Sequence, residues 1–385
     1  MQYRRFGNTG WDASILGFGI MRMPTIKKPS PDGKKALQYI DEEMSTDMVR
    51  YAIDNGVNYI DTAYMYHYGQ SESFVGRVLR DGYREKVKVA TKLPPWSVKS
   101  SDDFDRLFDE QRSRLQIETI DLYLLHALKR EWWENLRGLG ILKWAEKMIS
   151  DGHIGHLGFS FHDDYPVFKD IIDGYDAWDF CQIQYNFMDP DFQAGERGLR
   201  YAAEKGLAVV VMEPLRGGQL TLKPPDEVAR FWSTADLRRS QADWAFQWLW
   251  DQPEVSVVLS GMTTMDQVKE NIESAGKARL GGFTEFEHAL IHKVRVAYKE
   301  RSPIPCTECR YCMPCPNGVD IPGVFRLYNS VFMYDDIARP RFSYTLMDDA
   351  KRADKCISCG ECEEHCPQGI PISEWMPKVH EKLKK

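Results

Sequence analysis

The sequence predicts an α/β protein in which a (β/α)8 TIM barrel is followed by a smaller, mainly α-helical domain. Three observations carry that reading. The chain has 385 residues, more than one small core organises, so a large single-core fold with an appended module is expected. Eight short β-rich runs recur with helical patterns between them, the alternation of a closed parallel barrel. Eight of the nine cysteines fall between residues 306 and 366, and the first 300 residues hold only Cys181.

The eight runs are Ser14 to Gly19, Tyr59 to Ala63, Val87 to Leu93, Leu122 to His126, His156 to His162, Phe180 to Asn186, Ala208 to Pro214 and Ser256 to Met262. Thr284 to Lys299 reads as a helix leaving the barrel, and the Ser-Pro-Ile-Pro before Cys306 marks a boundary with rigid, non-helical residues. The expected division is a barrel over 1–283, a connecting helix and linker over 284–303, and a second domain over 304–385. Cys181, on a predicted strand, reads as a small core residue. Glu131 to Leu142, with Trp132 and Trp133, reads as packing surface rather than pocket wall.

A net charge of −7 without any long lysine or arginine run gives no electrostatic footprint for nucleic acid or an anionic membrane. No apolar run is long enough to span a bilayer, and the start, Met1 to Gly7, lacks the apolar stretch of a secretion signal. A cytoplasmic location is therefore expected, and a reducing compartment keeps thiols free for metals. Oligomeric state leaves no mark in the sequence.

The chemistry-bearing residues stand at the ends of successive runs. The second leads into Asp61-Thr62-Ala63-Tyr64-Met65-Tyr66, the third ends in Ala90-Thr91-Lys92, and the fourth in Leu124-Leu125-His126. In a barrel these ends converge on one mouth, bringing together an acid, a phenol, an amine and an imidazole. Tyr64, Tyr66 and Tyr68 all compete for the phenol position. The constellation resembles the aldo/keto reductase family over about the first 275 residues. The resemblance rests on Asp-Thr-Ala-x-x-Tyr at 61–66, the strand-end Lys92, Asp-Leu-Tyr-Leu-Leu-His at 121–126 and Gly-Phe-Ser at 158–160.

That resemblance implies reduction of an aldehyde or ketone, or oxidation of the alcohol, with NAD(P)H, and it selects Tyr66 from the three tyrosines. Carbonyl reduction needs a proton delivered to oxygen as hydride arrives at carbon, and Tyr66 is the implied general acid. A nearby Lys92 ammonium would lower the phenol's pKa, Asp61 would hold Lys92, and His126 would orient the substrate oxygen. By the same resemblance the nicotinamide side of a cofactor groove is formed by Gly19, Met21, Arg22, Asp61, Ser160, Gln184 and Met212. Glu213, Pro214, Leu215, Gly217 and Gly218 would line the pyrophosphate. Ser260, Gly261, Met262 and Gln267 would follow the eighth strand, with Asn271 on the adenine side.

Three departures set this chain apart. Met212 stands where many relatives stack an aromatic ring under the nicotinamide, Phe161 and His162 stand where an asparagine is usual, and 260–267 holds no lysine or arginine to clamp a 2'-phosphate. The softer platform and missing clamp weaken an NADP preference, although Arg22 or Arg216 could compensate, and admit a flavin as the alternative ring.

Cys306, Cys309, Cys312 and Cys315 precede Pro316, and Cys356, Cys359, Cys362 and Cys366 precede Pro367. The second run has the spacing of bacterial ferredoxins, in which three cysteines bind one cluster and the fourth crosses to another. By that precedent two [4Fe-4S] clusters are implied, one on Cys306, Cys309, Cys312 and Cys366, the other on Cys315, Cys356, Cys359 and Cys362. Four-cysteine zinc sites share the Cys-x-x-Cys step, but the repeated three-residue steps and trailing prolines suit cubane clusters better.

The combination defines three function classes: a carbonyl reductase with appended clusters, an electron-transfer enzyme in which a barrel-bound flavin splits electron pairs for the clusters, and a non-catalytic redox-sensing barrel. The intact Asp61, Tyr66, Lys92 and His126 set argues against the last. A small carbonyl or alcohol is the expected substrate, and a redox protein is a further expected partner.

Overall fold

The computed structural model describes residues 1–29 and 36–384. Eight parallel strands form the first unit: β1 (Leu16–Gly19), β2 (Tyr59–Asp61), β3 (Lys88–Leu93), β4 (Ile120–Leu128), β5 (Ile154–Phe161), β6 (Phe180–Gln184), β7 (Ala208–Met212) and β8 (Val255–Ser260). Each pairs with its neighbours in sequence, and β8 pairs with β1 to close the barrel. Each expected run overlaps one of these strands, but β4 extends past its run at both ends and β5 and β8 begin before theirs.

Alternation along the strands decides what faces inward. Tyr59, Ala90, Leu122, Leu124, Phe180, Ala208, Val210, Val257 and Leu259 form the cluster that fills the barrel. Stepping by two from these residues places Asp61, Lys92, His126, Gln182, Gln184 and Met212 on the same inner face. The alternate residues Ile60, Val89, Tyr123, Leu125, Val209 and Val258 join the larger core cluster outside the barrel.

Two antiparallel ribbons were not foreseen. Tyr3–Arg5 pairs with Asp12–Ser14, and the turn between them presents Phe6 and Trp11. Phe6 packs on Trp11, Tyr59 and Phe180 with ring centroids 5.3, 5.9 and 5.4 Å apart, closing the floor of the barrel. The second ribbon pairs Thr25–Pro29 with Ala36–Ile40 and lies between β1 and the helix Glu42–Asp54.

The chain divides into two compact units, 1–217 with 239–283, and 218–238 with 284–385. The sequence places 218–238 with the barrel and makes 284–303 a connector. In the structure both belong to the cysteine-bearing unit, because their contacts are made there. Gln219 and Ser330 exchange side-chain hydrogen bonds at 2.9 and 3.1 Å, and Arg301 meets Glu227 at 2.8 Å. Helix Glu285–Glu300 begins with a capping box in which Thr284 and Glu287 satisfy each other's backbone N–H groups. The rest of the unit is built from helices Ile321–Tyr334, Ala338–Leu346 and Ile372–Leu383, around buried Phe325, Tyr344, Met376 and Leu383. Among the described residues no helix is long and apolar enough to cross a membrane.

Candidate active site and cysteine cavities

Asp61 ends β2 and Lys92 stands one residue before the end of β3, and the register pairs Asp61 with Ala90. Their inward side chains meet: Lys92 Nζ donates to Asp61 Oδ1 and Oδ2 at 2.7 and 2.8 Å and to the Thr62 carbonyl at 2.7 Å. Asp61 and Lys92 are 2% and 1% exposed, so the pair is a desolvated, charge-assisted contact that survives only because both charges are present. The Lys92 ammonium lies 5.0 Å from the centre of the Tyr66 ring, and the Tyr66 and His126 rings are edge-on at 6.1 Å. The structure thus gathers the four residues at one mouth.

Burial is the largest influence on Tyr66 and raises its phenol above the usual value; Lys92 pulls the other way without overcoming it, and Asp61 adds to the rise. Lys92 acts in the direction expected from the sequence, but desolvation wins. The His126 imidazole is held well below its usual range by burial first, then by Lys92 and His162, so the ring is neutral at neutral pH. Its Nδ1 is buried without a partner, leaving a polar atom for a ligand to satisfy.

A buried network backs these strand ends. Glu72 accepts from Thr91 Oγ1 and Gln111 Nε2, both at 2.7 Å, and from Arg114 at 3.3 Å. Gln111 also donates to the Lys92 carbonyl at 3.1 Å and accepts from Tyr123 at 2.8 Å, tying β3 and β4 to one helix. The opposite wall is aromatic. Trp96 lies 5.1 Å from His126 and 5.5 Å from Trp132 by ring centroids, whereas Trp133 is buried against Trp178 at 6.0 Å. Of the tryptophan pair, Trp133 packs and Trp132 extends a wall to His126. Trp96 was not singled out in the sequence, since nothing in Pro-Pro-Trp marks its direction.

The expected cofactor residues lie on the strand ends and following loops around this site. Ala127, at φ 49°, donates its N–H to Ser160 Oγ at 2.6 Å, where the β4–β5 register shifts between Leu125 and Leu128. Gln184 pairs with Met212, and Gln182 with Ser160, across the strands. Gln182 is the residue the sequence reading missed: it is 2% exposed, its amide reaches the Met212 sulfur at 3.8 Å, and its Oε1 is buried without a partner. Its signal was available as the position two before Gln184 on the same strand face. Arg22 stands 3.8 Å from Glu213, and a Cβ on Gly261 would come within 3.2 Å of the Arg22 side chain, so a larger residue there would press on Arg22. Glu213, Arg216, Gly217 and Gly218 all have positive φ, with Pro214 and Leu215 between them. Asn271 donates to Ser260 Oγ at 3.0 Å, and Gln267 Oε1 accepts from the Thr263 N–H at 2.8 Å. Met262 is buried, Gly19 ends β1, and Met21, within the turn that follows, is 54% exposed. Two orphaned buried atoms, Gln182 Oε1 and His126 Nδ1, fit a carboxamide-bearing cofactor and a polar substrate.

In the second unit the cysteines ring two cavities. One is lined by Cys315, Cys356, Cys359 and Cys362; the other by Cys306, Cys309, Cys312 and Cys366. Among the described residues no three Cys, His, Asp or Glu converge closely enough to hold a single ion; the thiols stand around a space instead of a point, which fits a multi-iron cluster. The two runs share a backbone form. Glu308 and Arg310 flank Cys309 with φ 57° and 64°, and Ser358 and Gly360 flank Cys359 with φ 57° and 81°. Alternating conformations of this kind turn successive N–H groups toward one concavity.

Comparison with known proteins agrees with this layout. Residues 16–280 match the model described as the aldo/keto reductase family, and residues 305–370 match a 4Fe-4S dicluster domain. The uncharacterized oxidoreductase YqkF of Bacillus subtilis is 26% identical over 314 residues, covering 73% of this chain and 93% of that protein. A 6-dehydroglucose reductase of Novosphingobium aromaticivorans is 26% identical over 296 residues, covering 71% and 90%. The holo structure of aldo-keto reductase AKR11C1 from Bacillus halodurans superposes with a TM-score of 0.62 at 25% identity, covering 76% of this chain and 96% of that one.

Proposed function

Because the chain belongs to the aldo/keto reductase family and carries a 4Fe-4S dicluster domain, we propose that this oxidoreductase interconverts a small aldehyde or ketone and its alcohol, with NAD(P)H in the barrel groove and two [4Fe-4S] clusters in the second unit. The observation that carries the reading is the convergence of the Tyr66 phenol on a buried Lys92–Asp61 pair beside a neutral His126. When bound, NAD(P)H supplies the hydride. Tyr66 gives its phenolic proton to the carbonyl oxygen as that oxygen gains charge, and Lys92 stabilises the phenolate left behind. Neutral His126 donates a hydrogen bond that fixes the oxygen's direction, and Trp96 and Trp132 wall off water. Ser160, Gln182 and Gln184 would hold the nicotinamide amide, Arg22 and the 213–218 loop the phosphates, and Asn271 the adenine side. A relative named a 6-dehydroglucose reductase supports a carbonyl as the reacting group.

The thiolates of Cys306, Cys309, Cys312 and Cys366 would hold one cluster and those of Cys315, Cys356, Cys359 and Cys362 the other, an assignment supported by the two sets lining separate cavities. Each cluster passes single electrons, so a second reading places a flavin in the groove as the step between pairs and single electrons; the two cysteine cavities favour it. Anaerobic purification followed by iron, sulfide and flavin assays separates the readings. Tyr66→Phe tests the first: carbonyl turnover should fall by about 10²–10⁴, and unchanged turnover would remove Tyr66 from the chemistry.

A further inference from the structure

The loop that carries Tyr66 has a backbone its sequence does not favour. Immediately after Tyr66, His67 and Tyr68 have φ 49° and 56°, followed by Gly69 at φ 84°. Only the glycine takes that conformation without steric cost; a histidine and a tyrosine side by side in it must be held by their surroundings. The His67 side chain supplies a hold. Its Nε2 accepts the backbone N–H of Met23 at 3.2 Å. Burial draws the imidazole below its usual range, so one nitrogen accepts while the other donates.

Ile20 and Met23 bracket the turn Ile20–Arg22 that follows β1, the turn bearing Met21 and Arg22 of the groove. Four residues after Tyr66, Gln70 fastens the far side: its Oε1 accepts from Ile40 N–H at 3.3 Å and its Nε2 donates to the Gln38 carbonyl at 3.1 Å. The root of the ribbon between these points is closed by Asp41 N–H to the Pro24 carbonyl at 2.8 Å. The Tyr66 loop is thus clamped at Met23 and at Ile40, the two ends of the inserted ribbon.

We propose that His67 is a positioning residue for Tyr66: by joining the Tyr66 loop to the Ile20–Met23 turn, it fixes the phenol relative to the groove wall that this turn forms. The inference rests on the carbonyl-reductase reading for its activity arm. With alanine at 67 the left-handed backbone loses its tether and the loop relaxes toward ordinary φ, carrying Tyr66 away from Lys92. A glutamine there extends about as far as Nε2 and offers an oxygen to the Met23 N–H, restoring the tether.

Three full-chain variants test this: His67→Ala, His67→Gln and Tyr66→Phe. Steady-state kinetics is one readout. The other is NMR of ring-¹³C-labelled tyrosine, in which the Tyr66 signal is identified by its loss in Tyr66→Phe. In His67→Ala, kcat should fall about 10- to 100-fold while the carbonyl KM changes little, since a displacement of roughly 1 Å costs that much. The Tyr66 signal should shift or broaden, with the melting temperature near that of the wild type. His67→Gln should recover most of kcat and the original signal. An unmoved Tyr66 signal in His67→Ala overturns the proposal. So does equal loss in both variants with a collapsed melting temperature, which would make His67 a determinant of folding alone. A wild type that reduces no carbonyl defeats the reductase reading instead, and the NMR arm still decides the role of His67.

Discussion

At the scale of single residues, the site is governed by one buried ion pair and the phenol beside it. Removing Asp61 leaves the Lys92 ammonium uncompensated in a site from which water is excluded, so Asp61→Ala should cost about 3–5 kcal/mol of stability, read by denaturant unfolding, in addition to losing activity. The pH dependence of reduction follows from two shifts. Tyr66 must be protonated to act as the acid, and burial holds its proton above the usual pH 10; His126 is neutral because its pKa lies well below 6.5. The kcat/KM for reduction should therefore be flat from about pH 7 to 9 and fall only as pH rises through the phenol's raised pKa; a break between pH 7 and 9 would contradict the assignment. Much of this was legible in the sequence, because Asp61, Lys92 and His126 lie near strand ends at spacings that a barrel makes converge. What was not legible is the balance of forces on Tyr66. The sequence shows the ammonium that lowers the pKa, but the depth of burial that raises it depends on the packing of residues far apart in the chain.

At the scale of elements, the eight strands could be read because each is a short apolar run between helical patterns. Their ends could be read less well: the sixth run was extended to Asn186, whereas β6 stops at Gln184. The N-terminal ribbon escaped because its turn, Gly-Asn-Thr-Gly, separates strands of only three residues, too short to show a period. The helix Ser71–Val78 illustrates packing that a sequence conceals. A Cβ on Gly76 would come within 2.6 Å of the Leu115 carbonyl and 2.7 Å of the Arg114 carbonyl, both backbone atoms that cannot swing aside. Gly to Ala in an open helix stabilises, yet Gly76→Ala should destabilise by about 1–3 kcal/mol because it drives this helix off Asp102–Leu115, the helix carrying Gln111 and Arg114. Thermal melting of Gly76→Ala against wild type gives the sign. Within the cysteine unit, the two short loops with matched left-handed residues make a parallel forecast. Cys315→Ser and Cys366→Ser should each lower bound iron and sulfide by about half, by emptying different cavities. Retention of full iron in either would break the crossed ligand assignment.

At the scale of the whole molecule, the order of the chain and the division into units do not coincide. The boundary near residue 300 could be argued from Ser-Pro-Ile-Pro, yet the units part at 217, 238 and 283, and the joining of 218–238 to a segment that starts 46 residues after it ends was invisible, since long-range pairing leaves no local pattern. The consequence concerns time as well as space. A ribosome adds roughly 5–20 residues per second, so 218–238 emerges with the barrel but must wait some seconds for helix Glu285–Glu300, and longer for Ile321–Tyr334, before Val228 and Leu220, buried in the finished protein, find their cover. During that interval Leu220 and Val228 lack the packing partners of the finished unit. A chain ended after Phe283 would make the wait permanent, so the cluster-bearing unit is no detachable tail: its first piece has been synthesised before the barrel is complete.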